Sequence, residues 1–200
     1  MKVTIDCGHG GEDSGARGKL NGYFESHGVL DIGLRLRALL ETYVEVQMTR
    51  EDDTFISLPE RARMANEWGA DIFCSIHLNS ATTDASGWEI LSSGSHQSRD
   101  LANKVGWRHA AAFPWQTSRG VKTRGSLFVL RKTTMPAILT EGCFLSNGKE
   151  NQWVSLEETR QQMAQAIFLG ILDYFNLQPS KPELTLEQRV ERIEKKLNLV

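Results

Sequence analysis

No stretch of these 200 residues is apolar for long enough to span a bilayer, and the mean hydropathy is -0.35. Neither sign of charge dominates: 23 Lys and Arg stand against 25 Asp and Glu, a formal net charge of -2. The basic excess of a nucleic-acid binder, or of a protein lying on an anionic membrane surface, is missing. Cysteine is scarce. Cys7, Cys74 and Cys143 form no C-x-x-C pair, and their odd number argues for free thiols over a disulfide framework or a structural zinc finger. They are expected to be small buried hydrophobes. The opening MKVTIDCGHGG has too short an apolar part for a secretory signal, so a cytoplasmic protein, or one moved by another route, is expected. What is present is ordinary: 40% hydrophobic and 24% charged residues exclude disordered and collagen-like chains. The length suits one compact domain with a small appendage.

Strands and helices alternate along the chain. Lys2–Asp6 reads as a strand running into a Gly-rich turn, and Val29, Ile32, Leu36, Leu39 and Tyr43 then recur at helical spacing. Residues 44–48 are a second strand. Ser57-Leu58-Pro59-Glu60 has the pattern of a helix start, with a Ser cap, Pro in the first turn and Glu at the third position. Asp71–His77 (DIFCSIH) is apolar on both faces, as a strand buried between helical layers must be. Residues 88–91, 127–130 and 137–140 are further strand candidates, residues 97–112 a helix, and 157–175 a long helix with Met163, Ile167, Ile171 and Tyr174 on one stripe. The expected fold is α/β: a mixed, mostly parallel twisted sheet flanked by helices on both faces.

The expected domains are a catalytic unit over 1–177, a Pro-containing linker over 178–184, and a C-terminal amphipathic helix over 185–200. In that tail Leu186, Val190, Ile193, Leu197 and Val200 follow heptad spacing, over about two heptads, too few for a stable isolated coiled coil. Docking on its own domain, self-association and binding of a partner through this stripe are all open.

Four residues draw the chemistry. His9 lies in a D-x-G-H-G-G turn just past the first strand, where open α/β sheets bind ligands. Neither dinucleotide nor P-loop glycine spacing is present, so the turn is a poor phosphate cradle. His77 ends the DIFCSIH strand, on the same edge. Glu25 opens the first helix; it suits the positive end of the helix dipole, but it also faces the crevice. Two imidazoles and one carboxylate form a catalytic zinc set, with a fourth position left for water. Glu141 follows the apolar run Pro136–Thr140, and a carboxylate at the end of such a strand is costly unless something uses it.

With these residues in view, the chain resembles the zinc-dependent N-acetylmuramoyl-L-alanine amidases of the amidase-3 type. The resemblance spans about Lys2 to Phe175 and rests on VTIDCGHGGEDSGARG, the Glu25 helix start, TREDDTFISLPERARMAN, ADIFCSIHLNS and RGVKTRGSLFVLRKTTMPAILTEGCFLSN. It implies Zn2+ on His9, Glu25 and His77, with Glu141 as general acid and base toward a zinc-activated water. The implied substrate is peptidoglycan, cut between N-acetylmuramic acid and L-alanine. Asp6 and Asn79 are candidates for a supporting or substrate-contacting role; Arg50, Arg61 and Asn66 read as scaffold, and His27, His96 and His109 as surface residues. Cys7 and Ser26 depart from the family's usual Pro and Lys, and neither position is a needed ligand. A compact chain of this kind resembles a phage or prophage endolysin, cytoplasmic until released to the wall. The alternatives are another zinc peptidase acting on wall stem peptides and a non-catalytic wall-binding module.

Overall fold

A computed structural model describes residues 1–81 and 85–179. The expected C-terminal helix (185–200), and all of the expected linker beyond residue 179, lie outside them. Six strands form one sheet in the order β2-β1-β3-β6-β4-β5. They are β1 (Lys2–Cys7), β2 (Glu45–Met48), β3 (Ile72–Asn79), β4 (Trp88–Ser92), β5 (Ser118–Thr123) and β6 (Ala137–Phe144). All neighbours are parallel except β4 and β6, which run antiparallel, so the sheet is mixed and mostly parallel.

Helices cover both faces. On one face α1 (Glu25–Leu40), α3 (His96–Ala112) and α6 (Glu157–Phe175) bury Val29, Ile32 and Leu36, Leu101 and Val105, and Ile167 and Ile171 against Ile5, Cys7 and Ile76. Gly170 lets α3 and α6 approach: a Cβ there would stand 2.5 Å from Val105 Cα. On the other face α2 (Leu58–Trp68) and α4 (Phe128–Lys132) set Ala65, Val129 and Leu130 on Phe73 and Leu139. The α2 start forms as its sequence dictates: Ser57 accepts the Glu60 N–H, and Gly69 closes the helix in the left-handed region. Among the described residues no helix is long and apolar enough to cross a membrane. The three thiols are free and buried, and burial pushes those of Cys7 and Cys74 up to about 12.

The observed elements differ from the expected ones in several places. Residues 127–130 are not a strand; α4 begins at Phe128, and a run of four apolar residues fits a buried helical turn as well as a strand. β5 was not expected, because SRGVKT is a polar, partly exposed edge strand without alternation. α5 (Gly148–Val154) was likewise missed; it starts where Asn147 accepts the N–H groups of Lys149 and Glu150. β6 runs on to Phe144, so Glu141 lies inside the strand and not at its end. The pairing of β3 with β6 shifts register after His77, which lets β6 continue past the site.

Asp6 is the buried polar centre of the sheet, only 1% exposed. Its Oδ1 accepts from Thr49 Oγ1 and from Arg61 Nη1, each at 2.8 Å, and its Oδ2 from Ser75 Oγ at 2.6 Å. Asp6→Ala would strand the buried Arg61 guanidinium without its counter-charge. A loss of about 3–5 kcal/mol in urea unfolding is expected, and a loss below about 1 kcal/mol would contradict this role.

Candidate metal and catalytic site

The turn after β1 leaves its strand through three consecutive left-handed residues, His9 (φ 60), Gly10 (φ 123) and Gly11 (φ 58). A histidine held there is strained by about 1–2 kcal/mol, and two buried guanidiniums hold the turn. Arg50 Nε donates to Cys7 O at 2.9 Å, and its Nη2 to Gly8 O and Ser26 O at 2.8 Å. Arg61 Nη2 donates to His9 O at 2.6 Å. Asn66 anchors the chain beyond α4, donating to Lys132 O and accepting from Thr134 N. The scaffold reading of these three residues is what their contacts show.

His9, Glu25 and His77 come together: one ligand atom from each lies within 4.8 Å of the others. His9 Nε2 is 3.1 Å and His77 Nδ1 3.0 Å from Glu25 Oε1. Glu25 is fixed by backbone, its Oε1 accepting from Leu78 N and its Oε2 from Ala16 N, both at 2.9 Å. Asp13 Oδ2 takes the other ring nitrogen of His9, Nδ1, at 2.9 Å. Asp13 was missed in the sequence, where its i+4 spacing from His9 was the available signal. The His77 ring lies against backbone: a Cβ on Gly8 would stand 2.3 Å from its Cε1. Gly8→Ala should therefore displace that ring and cost about 1–3 kcal/mol. Thermal unfolding checks this, and an unchanged Tm would contradict it.

The electrostatics suit a cation. Burial works against charge on all three residues. The Glu25 carboxylate, with Asp13, overrides this for His9 and holds it at about 9. Glu25 raises His77 as well, helped by Glu141. The two rings in turn, His77 foremost, hold Glu25 well below the usual carboxylate range. The cluster concentrates an ionised carboxylate and two ring nitrogens that carry protons only until something displaces them. Two histidines and a carboxylate with an ordered outer partner are what a three-ligand zinc centre requires.

Glu141 is directly across the sheet from His77 in register. Burial, then the charges of Glu25 and Glu89 against the pull of His77, lifts it to about 7. Its Oε2 is buried and has no hydrogen-bond partner. An open cleft of about 290 Å³ fronts the cluster, lined by His9, His77, Asp13, Phe55, Leu58 and Phe128. Asn79 Nδ2 lies 3.5 Å from Glu89 Oε1, and Asp6 holds Arg61 beneath the turn. His27 and His96 are exposed as expected. His109 is not: it is 5% exposed, bonded to Gln116 Oε1 at 2.9 Å and packed on Trp88 and Phe113, because the last turn of α3 faces the core. Burial depresses it to about 4.

His9, Glu25 and His77 gather at the carboxyl end of an α/β sheet where they could together hold a metal ion, and a glutamate with an unpartnered oxygen stands beside them, an arrangement suited to hydrolysis. The comparisons with known proteins narrow this reading. A family model described as N-acetylmuramoyl-L-alanine amidase (Amidase_3) matches residues 3–173, and the chain belongs to that family. It is 36% identical over 184 residues to an endolysin of Bacillus phage SPP1, covering 88% of this chain and 66% of that protein, just short of two thirds. It is 34% identical to a sporulation-specific N-acetylmuramoyl-L-alanine amidase of Bacillus subtilis, covering 88% and 69%. The catalytic domain of the amidase CwlV from Bacillus (Paenibacillus) polymyxa superposes with a TM-score of 0.84 at 36% identity, over 88% of this chain and 99% of that one. The amidase AmiC2 of Nostoc punctiforme gives 0.83 at 36%, over 88% and 97%.

Proposed function

We propose that this protein is a zinc-dependent peptidoglycan hydrolase that cleaves the amide joining the lactyl carboxyl of N-acetylmuramic acid to L-alanine. One observation carries the reading: a His9–Glu25–His77 cluster, its ligand atoms within 4.8 Å, stands beside a glutamate whose buried oxygen has no partner. His9, Glu25 and His77 would hold the zinc, His9 through Nε2 because Asp13 engages Nδ1. Zinc bound there supplies Lewis-acid polarisation of the amide carbonyl and makes water more acidic.

The protein's own residues do the rest. Glu141, lifted to about 7, is half ionised near neutrality, where a proton carrier works best. It takes a proton from the attacking water as the carbon–oxygen bond forms. It then returns that proton to the alanine nitrogen as the carbon–nitrogen bond breaks, and is ionised again. The cleft in front of the cluster offers the substrate apolar walls at Phe55, Leu58 and Phe128.

A lytic setting, with the enzyme held in the cytoplasm until release to the wall, belongs to the same proposal; the likeness to a phage endolysin supports it. The tail from Lys181 is proposed to be dispensable for the chemistry, since all four site residues precede it. Cleavage of a soluble muropeptide tests the whole reading. Chelation should abolish release of alanine-terminated peptide, and zinc should restore it. Full activity in chelator would overturn the metal assignment.

A further inference from the structure

A single row of side chains crosses the sheet at the site. The register sets Glu141 of β6 opposite His77 of β3, and Glu89 of β4 opposite Glu141. Lys122 of β5 pairs with Leu91, two residues from Glu89 and therefore on the same face. Lys122 Nζ and Arg119 Nε both donate to one oxygen of Glu89, Oε2, the arginine at 3.1 Å. The Arg119 guanidinium also sits over the Phe144 ring, 5.1 Å from its centre. Burial opposes a charge on Glu89, but the two cations, Lys122 first, hold its carboxyl below the ordinary range.

Glu89 is thus an ionised, nearly buried anchor, and its side chain is 11% exposed. Its partners are not buried: the side chains of Arg119 and Lys122 are 39% and 35% exposed. Two cations on one carboxylate leave one positive charge uncompensated, held in place beside the proton carrier and open to solvent. One cation is enough to compensate a single buried carboxylate, so the charge on Glu89 does not by itself account for a doubled cation here. Distance identifies what it suits. Adjacent strands are about 4.8 Å apart, so charged heads gathered over β4 and β5 lie roughly 5–10 Å from Glu141. An extended peptide advances about 3.3–3.6 Å per residue, which brings the second residue beyond the cleaved amide into that range.

We infer that Arg119 and Lys122 form a carboxylate subsite that recognises a free acid on the second residue of the departing stem peptide. This subsite makes the enzyme discriminate a stem whose second residue is acidic from one where that acid is amidated. The inference rests on the amidase reading, and its test separates the two. Two soluble muropeptides are compared, N-acetylmuramyl-L-alanyl-γ-D-glutamyl-L-lysinamide and its isoglutamine counterpart, which differ only in carboxylate against carboxamide. Binding is measured by calorimetry on the full-length Glu141→Gln protein, which does not turn them over; cleavage is measured on the zinc-loaded wild type.

A charge-assisted contact should favour the acid about tenfold in Kd and in KM, with kcat little changed. Lys122→Met and Arg119→Met, each made in both backgrounds, should erase most of that preference while leaving kcat on the carboxamide substrate within about twofold. A purely structural role would lower both substrates together. Equal binding of acid and amide, or a preference that survives both substitutions, overturns the subsite and leaves amide cleavage standing. Selective binding of the acid without release of alanine-terminated peptide by the wild type would overturn the amidase reading and retain the carboxylate site.

Discussion

Glu141→Gln should lower amide cleavage by about 10²–10⁴-fold, the usual contribution of a general acid–base group, while zinc stays bound. The glutamine keeps the shape but cannot carry the proton, and the neighbouring carboxyls are committed elsewhere: Glu25 to two histidines and two backbone N–H groups, Glu89 to Arg119 and Lys122, and Asp13 to His9 and the Gly15 N–H. The same substitution should stabilise the metal-free protein, with a defined pH dependence. Folding raises this carboxyl from 4.5 to about 7. Below 4.5 both folded and unfolded forms are protonated, and Glu and Gln should be equivalent. Between 4.5 and 7 only the unfolded chain ionises, so the wild type loses stability progressively as pH rises. Above 7 the penalty is complete, on the order of 3 kcal/mol. Urea unfolding of both proteins without metal should show curves that coincide at pH 4 and separate by pH 8. Parallel curves, or a variant that retains cleavage within tenfold of the wild type, would contradict this role for Glu141.

Removal of one ligand should be as damaging by a different route. His77→Ala and Glu25→Ala are each expected to weaken zinc binding by more than about a hundredfold, beyond the 10–100-fold typical of outer partners, and to lose activity with the metal. Proton release distinguishes the two. In the metal-free protein Glu25 keeps His9 protonated up to about 9, so zinc uptake at pH 7.5 must expel that proton. Wild-type affinity should therefore rise about tenfold per pH unit for each proton displaced and level off near pH 9. Glu25→Ala removes the charge that holds the proton, so its residual zinc binding should release fewer protons at pH 7.5. Calorimetry in two buffers of different ionisation enthalpy counts them. A wild type that takes up zinc without releasing a proton would contradict the arrangement. The sign for stability follows: the His9 pair supports the metal-free fold fully below 6.5, and that support is lost as pH rises through about 9.

Much of this was legible because the strongest sequence signals coincide with the site. DIFCSIH is apolar on both faces because helices cover both sides of β3, and His77 follows near the carboxyl end of that strand, which runs on to Asn79. Glu25 opens α1 where the helical periodicity said a helix begins. The D-x-G-H-G-G turn placed His9 just past the first strand, and the absence of a side chain at Gly8 leaves room there for the His77 ring. The failures have a common cause: they depend on partners distant in sequence. β5 is polar and has no periodicity of its own; pairing with β4 makes it a strand. His109 looks like a surface residue until α3 turns it onto Gln116 and Trp88. Glu141 reads as a strand end because the apolar run Pro136–Thr140 stops there, and the shifted register with β3 carries the strand further. Glu89, the second residue of a short and otherwise largely apolar strand, gave no hint of the Arg119 and Lys122 that pair with it from β5.

The most direct test of the central claim is mass analysis of purified peptidoglycan digested with the zinc-loaded protein. Free stem peptides with a new L-alanine amino terminus, and glycan strands of undiminished length bearing unsubstituted lactyl groups, are expected, with neither product formed by Glu141→Gln. Cuts within the stem peptides or within the glycan, or an intact wall that merely retains the protein, would contradict it.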